Sequence, residues 1–298
     1  MMIGTQMRFR IVAALLLLIP TTPAWSMNLL TSIKPIQMIA TEIMTDVGEA
    51  EVLLANNTSP HDYALRPSDI RRLRSADLVV WFGYDLEPFL SRSLSQQNNV
   101  LTLSEIPDLD LREYTGDQHQ HDGHDHGNDD PHFWLGYKPT LQVAKAIADK
   151  LSKIDSDNSQ QYQDNFRTFE SRMKTEKLLI QEKLNPVKES GYYVFHDAYG
   201  YFEADYQLNH LGYFTVSPER KPGAKTLITI KKTLKEQQAK CVFSEPQFTP
   251  AVVESVTRGT GVNLGELDPI GVGIEVKSGS YFTFLHFMAD SFIDCLEK

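Results

Sequence analysis

An α/β fold in two similar lobes, joined by a long rigid helix, is predicted from the order of apolar segments in this chain. Short apolar runs, typical of buried parallel strands, alternate with amphipathic helical patterns. Four such runs precede residues 155–186 and four follow them. The longest uninterrupted helical pattern lies between the two halves. We therefore assign residues 27–154 to an N-terminal lobe and residues 187–298 to a C-terminal lobe.

The predicted strands are runs of apolar and β-branched residues bounded by polar or turn-forming residues. In the first half they are Leu29–Ile33, Val52–Leu54, Leu78–Phe82 and Val100–Leu103. In the second half they are Tyr192–Phe195, Tyr213–Val216, Cys241–Phe243 and Val262–Leu267. Helical patterns occur between them, as a parallel sheet requires of its crossover connections.

The connecting helix is predicted over residues 155–186. The pattern begins in the cap-rich Asp155-Ser156-Asp157-Asn158 and ends at Asn185-Pro186. Its apolar positions recur at helical spacing: Tyr162, Phe166, Phe169, Met173, Ile180 and Leu184. A helix of about 27 residues is about 40 Å long at 1.5 Å per residue. Because strand patterns resume on both sides, we interpret it as a stiff connector packed along both lobes, rather than as a bundle helix.

Residues 1–26 have the organisation of a secretory signal peptide. Arg8 and Arg10 precede the apolar run Ile11–Ile19, and Ala24-Trp25-Ser26, with small residues at its first and last positions, follows as the cleavage site. The run is shorter than the roughly 20 apolar residues that span a bilayer. No cysteine lies in the cleavage region directly after the run, which argues against a lipoprotein anchor. We expect export to the periplasm with cleavage near Ser26.

The composition is that of a globular protein. Of 298 residues, 41% are hydrophobic and 23% are charged, and the formal net charge is −10. Cleavage after Ser26 would remove two arginines and no acidic residue, which brings the charge to −12. A negative net charge disfavours nonspecific binding to nucleic acid. We expect a monomer that is not embedded in the membrane.

The chain has two cysteines, Cys241 and Cys295. In an exported chain an even number of cysteines favours a disulfide bond. Two buried free thiols are the alternative. Two cysteines this far apart in sequence do not form the pattern of a zinc–thiolate site.

A tract without apolar residues, residues 117–130, interrupts the pattern of the first half. Its composition predicts a mobile loop, because it cannot bury surface to offset the entropy of ordering. It contains His119, His121, His124 and His126. Histidine and aspartate side chains in an exported protein indicate transition-metal binding, with a solvated polar loop as the alternative. Because binding must order the loop, we expect it to gather metal rather than to hold it.

Three other histidines lie where α/β proteins bind ligands. His61 follows a predicted strand of the first half, His196 ends a predicted strand of the second, and His132 follows the polar tract. Ligands of open α/β sheets collect at the carboxyl ends of strands. Taken singly, each histidine is more often structural, but together and beside the polar tract they indicate a metal site. We interpret His210 and His286 as structural.

Six motifs of the mature chain form a set: Ser59-Pro60-His61-Asp62-Tyr63, Leu65-Arg66-Pro67-Ser68-Asp69, His132-Phe133-Trp134-Leu135, Phe195-His196-Asp197-Ala198-Tyr199-Gly200-Tyr201-Phe202, Phe243-Ser244-Glu245-Pro246-Gln247-Phe248 and Leu267-Asp268-Pro269. Together they resemble the ZnuA family, the periplasmic zinc-binding proteins of bacterial zinc ABC transporters within the metal-specific solute-binding proteins. The resemblance covers essentially all of the mature chain. It implies two α/β lobes joined by a rigid helix, metal in the cleft between them, and a disulfide between Cys241 and Cys295.

The resemblance also implies a set of Zn²⁺ ligands. His61, His132 and His196 match the three histidine ligands. Asp268 matches a carboxylate ligand of manganese-type relatives and is the candidate fourth ligand, with water or another carboxylate as alternatives. Glu245 is another acidic candidate, which we interpret as a helix cap or a hinge residue. A third imidazole favours zinc, because Mn²⁺ prefers oxygen-rich sites.

The predicted function is high-affinity capture of Zn²⁺ in the periplasm and delivery to the membrane permease of an ABC zinc importer, whose ATPase subunit is separate. The chain has no G-x-x-x-x-G-K-[ST] motif, and we predict that it is not an enzyme. One alternative is a zinc-dependent hydrolase, since three histidines and an open position also form a catalytic site. The lack of an H-E-x-x-H motif disfavours it. The other alternative functions are a periplasmic metal buffer and a carrier for manganese or copper.

Overall fold

The computed structural model describes residues 27–54, 58–114, 129–216, 218, 222–236, 239–249 and 251–298. The predicted signal peptide and the four histidines of the polar tract lie outside these residues. Within the described ranges, no helix is both long enough and apolar enough to cross a membrane.

In the described residues, two parallel four-stranded sheets form the centres of the two halves, as predicted. The first contains β1 (Asn28–Thr31), β2 (Glu49–Val52), β3 (Leu78–Trp81) and β4 (Val100–Thr102) in the order β2-β1-β3-β4. The second contains β5 (Tyr192–His196), β6 (His210–Thr215), β7 (Cys241–Ser244) and β8 (Asn263–Glu266) in the order β6-β5-β7-β8. The two sheets therefore have the same topology. We refer to these halves as the N-lobe and the C-lobe.

The helices cover the sheets and connect them. They are α1 (Lys34–Ile43), α2 (Pro67–Ser75), α3 (Pro88–Leu94), α4 (Tyr137–Ile154), α5 (Ser159–Leu184), α6 (Gly200–Tyr206), α7 (Ala224–Glu236), α8 (Ala251–Thr257) and α9 (Ser280–Leu296). Strands and helices alternate, and the strands of each sheet are parallel. The carboxyl ends of the strands therefore lie at the same edge of each sheet, where the loops that follow them begin.

Strand β2 begins three residues and ends two residues earlier than predicted, at Glu49–Val52 rather than Val52–Leu54. It is an edge strand, and the side chains of Glu49 and Glu51 are exposed while Ala50 is buried. An edge strand with one solvated face has an alternating pattern, which a search for continuous apolar runs does not detect.

Helix α5 is the predicted connector. It has 26 residues, and its buried face consists of Tyr162, Phe169, Met173, Ile180 and Leu184. It packs against α1 and α4 of the N-lobe and against α6 and α9 of the C-lobe. The side-chain amide of Asn165 also donates hydrogen bonds to the carbonyl groups of Ile43 and Thr45, which fixes α5 to the end of α1. The connector therefore contacts both lobes along its length.

Cys241 and Cys295 form a disulfide bond, which confirms the prediction. Cys241 begins β7 and Cys295 lies near the end of α9, and both are buried. The bond therefore ties the last helix of the structure to the centre of the C-lobe sheet.

A buried carboxyl group, that of Glu87, lies near the carboxyl end of β3. Its Oε2 accepts hydrogen bonds from the backbone N–H groups of Phe82 and Gly83, at 3.0 and 3.2 Å. Burial raises the pKa of Glu87 from 4.5 to about 7, although the hydrogen bonds from these two N–H groups lower it. The group is thus neutral in mildly acidic solution.

We expect Glu87 to make the free energy of unfolding fall as the pH rises from about 5 to about 7. In this range the unfolded chain has released the proton that the folded state retains, so folding takes up a proton and loses stability with rising pH. The loss over this range amounts to roughly 2 kcal/mol. Urea unfolding of metal-free protein across this range measures it. Glu87→Gln should flatten the dependence, whereas the exposed-site control Glu105→Gln should not. Equal pH slopes in all three proteins would contradict this expectation.

Candidate metal centre

Three histidines from separate segments converge in the cleft between the lobes. His61 lies in the turn after β2, His132 immediately precedes a 3₁₀ turn at Phe133–Leu135, and His196 is the last residue of β5. Their candidate ligand nitrogens all lie within 4.8 Å of one another. His132 and His196 are buried, and His61 is half-buried.

The spacing of two of these nitrogens suits a single tetrahedral ion. Nε2 of His132 lies 3.3 Å from Nε2 of His196. Two nitrogens bound to one zinc ion at about 2.0–2.1 Å in tetrahedral geometry are about 3.3 Å apart. The ring of His61 completes the group, with its centroid 5.5 Å from that of His132 and 6.0 Å from that of His196.

A carboxylate orients each of the two buried rings. Nδ1 of His132 lies 2.7 Å from Oδ1 of Asp130, and Nδ1 of His196 lies 2.6 Å from Oε1 of Glu245. An ionised carboxylate only accepts hydrogen bonds, so Nδ1 of each ring carries the proton and donates it. Each Nε2 then presents a lone pair to the cleft. Two lone pairs facing each other repel, and a cation between them removes that repulsion.

The electrostatic surroundings keep His132 neutral. Burial lowers the pKa of His132 well below its ordinary value of 6.5, and the nearby His196 and Arg112 lower it further. A histidine must be unprotonated to bind a metal ion. His132 is therefore a competent ligand at neutral pH.

Asp130 corrects the predicted boundary of the polar loop. It is the last residue of the predicted loop, 117–130, yet it is fully buried. Its backbone N–H donates to the carbonyl of Arg112 at 2.7 Å, and Asp129 pairs with Glu113 in an antiparallel bridge. A buried carboxylate requires partners, and Arg112 and His132 provide them. The predicted boundary at residue 130 is thus at least two residues too late.

Asp268, the candidate fourth ligand, does not belong to the histidine group among the described residues. One carboxylate oxygen accepts hydrogen bonds from the side-chain amide of Gln247 and from the N–H groups of Ile270 and Gly271. The other accepts one from the N–H of Val272. These bonds use both oxygens to hold the turn after β8.

Apolar side chains surround the histidines. Trp134, Phe248, Pro269 and Ile270 line the same cleft. The indole N–H of Trp134 donates to the carbonyl of Pro269 at 2.7 Å, which joins the N-lobe wall to the C-lobe wall. An apolar wall excludes water and strengthens electrostatic interactions inside the site.

His210 and His286 lie apart from this group. Nδ1 of His210 is 3.0 Å from a carboxylate oxygen of Glu203, and Nε2 of His286 is 2.8 Å from one of Glu176. The second pair joins α9 to α5. These contacts agree with the structural role expected for both residues.

Sequence reasoning missed the two orienting carboxylates. Asp130 was hidden in a tract whose composition predicts a loop, and Glu245 was interpreted as a cap or hinge. The position of Glu245 did carry a signal. It follows β7, which is the direct neighbour of β5 in the sheet, so its carboxylate lies beside His196.

Comparison with known proteins decides the family. The model of the ZnuA family, "Zinc-uptake complex component A periplasmic", matches residues 29–295. This chain belongs to the ZnuA family. The high-affinity zinc uptake system protein ZnuA of Yersinia pestis is 43% identical over 305 residues, covering 96% of each chain. Its counterpart in Haemophilus ducreyi is 39% identical, covering 95% of this chain and 97% of that protein.

A solved ZnuA structure has the same fold. It is the crystal structure of a ZnuA deletion mutant, lacking residues 138–173 of that protein, with zinc bound. Its TM-score with this chain is 0.77 at 25% identity, covering 91% of this chain and 98% of that one. The ZnuA-type arrangement of two α/β lobes predicted from the sequence is confirmed.

Proposed function

We propose that this protein captures Zn²⁺ in the periplasm and delivers it to the membrane permease of an ABC zinc importer. The observation that carries the proposal is the pair of Nε2 atoms of His132 and His196, 3.3 Å apart, in a chain of the ZnuA family. Zn²⁺ is the cargo of this protein, and His61, His132 and His196 are its proposed ligands.

Capture and release of Zn²⁺ depend on which lobe supplies each ligand. His61 and His132 belong to the N-lobe and His196 to the C-lobe, so Zn²⁺ bound by all three joins the lobes. Three imidazoles leave the fourth tetrahedral position to water or to another oxygen ligand, which permits exchange. A movement that separates the lobes removes His196 from the other two and releases the ion. Because α5 packs against both lobes, that movement is small.

The donor set favours zinc carriage over the alternatives. Three neutral nitrogen donors suit Zn²⁺ better than Mn²⁺, which prefers oxygen. A zinc hydrolase needs a general base beside the metal-bound water. Among the described residues, two carboxylates contact the buried histidine rings, those of Asp130 and Glu245, and both accept hydrogen bonds from Nδ1 instead.

The remaining parts of the chain have the following proposed roles. Residues 1–26 direct export and are removed near Ser26. Residues 27–154 and 187–298 are the lobes that close on Zn²⁺, residues 155–186 are the connector, and the protein acts as a monomer. The loop histidines gather Zn²⁺; they are His119, His121, His124 and His126.

Titration with Zn²⁺ or Mn²⁺ against a competing chelator tests this function. Metal-stripped residues 27–298 should bind one Zn²⁺ tightly, in preference to Mn²⁺, and further Zn²⁺ weakly. Deletion of residues 117–128 should remove the weak binding and change the tight affinity by less than about threefold. Deletion of residues 117–130 should weaken the tight site by about 10–100-fold, because it also removes Asp130.

Two results would contradict the proposal. Tighter binding of Mn²⁺ than of Zn²⁺ would refute the zinc assignment, and loss of the tight site on deletion of residues 117–128 would move that site to the loop. Delivery is tested with the purified permease and its ATPase in vesicles. Zinc-loaded protein should stimulate ATP hydrolysis and zinc uptake there, whereas a simple metal buffer would not.

A further inference from the structure

Arg112 joins the two buried histidines of the cleft through their neighbours. It lies in the N-lobe, between β4 and the polar tract. Its Nη2 is 2.9 and 2.8 Å from the two carboxylate oxygens of Asp197, and its Nη1 is 3.2 Å from Oδ2 of Asp130. Asp130 orients the ring of His132, and Asp197 directly follows His196 in the chain. One guanidinium group thus crosses between the lobes beneath the site.

Backbone contacts hold Arg112 in this position. Its N–H donates to the hydroxyl oxygen of Tyr201 at 2.8 Å, and the Tyr201 hydroxyl donates to the carbonyl of Asp130 at 2.7 Å. Tyr201 belongs to α6 of the C-lobe. The segment containing Arg112 is therefore fixed to both Asp130 and the C-lobe independently of the guanidinium group.

The Arg112 side chain passes a position that must be glycine for the guanidinium group to fit, Gly200. A Cβ atom at Gly200 would lie 1.2 Å from Nη1 and 2.1 Å from Cζ of Arg112. Gly200 begins α6 and does not have a positive φ, so its backbone conformation does not require glycine. The absence of a side chain at this position instead leaves room for the guanidinium group.

The two carboxylates that Arg112 contacts are buried, so loss of the guanidinium group would leave them without their charged partner. The side chain of Asp130 is fully buried and that of Asp197 is 5% exposed, whereas that of Arg112 is 25% exposed. Removing one member of a buried ion pair leaves an uncompensated charge in a medium of low dielectric constant. Without Arg112, the two carboxylates would repel each other, and Oδ2 of Asp130 would lose its charged partner, while Oδ1 keeps the hydrogen bond from the backbone N–H of His132.

We propose that Arg112 is the positioning residue of the zinc site, which holds His132 and the backbone beside His196 in their metal-binding arrangement across the cleft. The inference rests on the proposed zinc-capture function. Arg112 does not touch the metal ion; it acts through Asp130 and Asp197. A guanidinium group can contact two carboxylates at once, and an ammonium group in the same place cannot reproduce that geometry.

Two matched arginine variants test the proposal. Arg112→Met removes the charge and keeps most of the length of the side chain. Arg172→Met is the control, because Arg172 also joins two elements, the connector α5 and α9 of the C-lobe, with its guanidinium over the Phe282 ring at 4.0 Å and its Nε near Glu176. Chelator competition should show Zn²⁺ affinity about 10–100-fold weaker in Arg112→Met and unchanged within about twofold in Arg172→Met. The visible absorption of bound Co²⁺, which reports ligand geometry, should change only in Arg112→Met.

Gly200→Ala provides an independent perturbation of the same contact. It should displace the guanidinium group and weaken Zn²⁺ binding in the wild-type background. In the Arg112→Met background the same substitution should have less than about a third of that effect on log Kd, because the two changes act through one contact. If Arg112→Met does not fold, Arg112→Lys replaces it, with a smaller loss of affinity expected.

The outcomes separate the two proposals. Tight wild-type binding with unchanged affinity and an unchanged Co²⁺ spectrum in Arg112→Met would overturn the role of Arg112 and leave zinc capture intact. A lower melting temperature without these changes would also overturn it, since it would show an ion pair that only stabilises the fold. Absence of a tight Zn²⁺ site in the wild-type protein would instead refute the proposed function.

Discussion

Replacement of His196 by alanine is expected to weaken the tight Zn²⁺ site by more than about 100-fold. Zinc-finger peptides bind Zn²⁺ through four ligands with an apparent free energy of roughly 10–16 kcal/mol, which corresponds to roughly 3 kcal/mol for each ligand. His196 is also the proposed ligand that the C-lobe supplies, so its loss leaves Zn²⁺ bound to one lobe. Competition with a chelator of known affinity measures the change.

A matched histidine variant distinguishes ligand loss from general destabilisation. His286 of α9 pairs with Glu176 of α5 and is not one of the clustered histidines, so His286→Ala should leave the affinity for Zn²⁺ unchanged. Zn²⁺ should also raise the melting temperature of the wild-type protein and of His286→Ala, but raise that of His196→Ala much less, because binding stabilises the folded state. Equal tight affinity in His196→Ala and the wild type would exclude His196 as a ligand.

Removal of the disulfide is expected to lower the free energy of unfolding by up to roughly 4 kcal/mol. Cys241 and Cys295 are 54 residues apart in sequence, and the bond restricts the unfolded chain by closing that loop. We expect the double variant Cys241→Ala, Cys295→Ala to show this loss in urea unfolding of the metal-free protein.

The reduced wild-type protein is the control for this prediction. It should unfold at nearly the same urea concentration as the double variant, because both lack the same cross-link. An oxidised wild-type protein no more stable than the double variant would contradict the prediction. The zinc affinity of the folded double variant tests a second point. Glu245 follows β7, so a large loss of affinity would indicate that the disulfide also holds the carboxylate beside His196.

The sequence predicts most of the fold because the strands are strongly apolar. The central strands β1, β3, β5 and β7 are buried from both sides and therefore appear as continuous apolar runs. The edge strand β2 was misplaced because its outer face is solvated. The connector was predictable because its apolar side chains recur at helical spacing over seven turns.

The candidate site was predictable only in part. His61, His132 and His196 could be selected from their positions beside strands and from their motifs. Asp130 is close to His132 in sequence, but Glu245 and Arg112 act through contacts between segments that are far apart in sequence. Glu245 is 49 residues from His196, and Arg112 is 85 residues from Asp197. Asp130 shows that composition alone does not predict burial. Its carboxylate lies in a polar tract but is buried, because the guanidinium group of Arg112 and the imidazole of His132 pair with it.

The equal topology of the two sheets permits a comparison of equivalent positions. In the N-lobe, Leu29 of β1 pairs with Leu78 of β3, and in the C-lobe Tyr192 of β5 pairs with Cys241 of β7. Four residues further along each strand, the C-lobe has His196 and Glu245. The N-lobe has Ile33 and Phe82 at the corresponding positions, both of which are buried.

The two lobes thus build their parts of the site differently. The C-lobe has polar groups at the ends of its central strands, whereas the N-lobe is closed there by Ile33 and Phe82 and supplies histidines from its loops. Loops tolerate insertion and substitution better than the centre of a sheet does. A change of ligand should therefore cost the N-lobe less stability than the C-lobe, whose ligand ends a central strand.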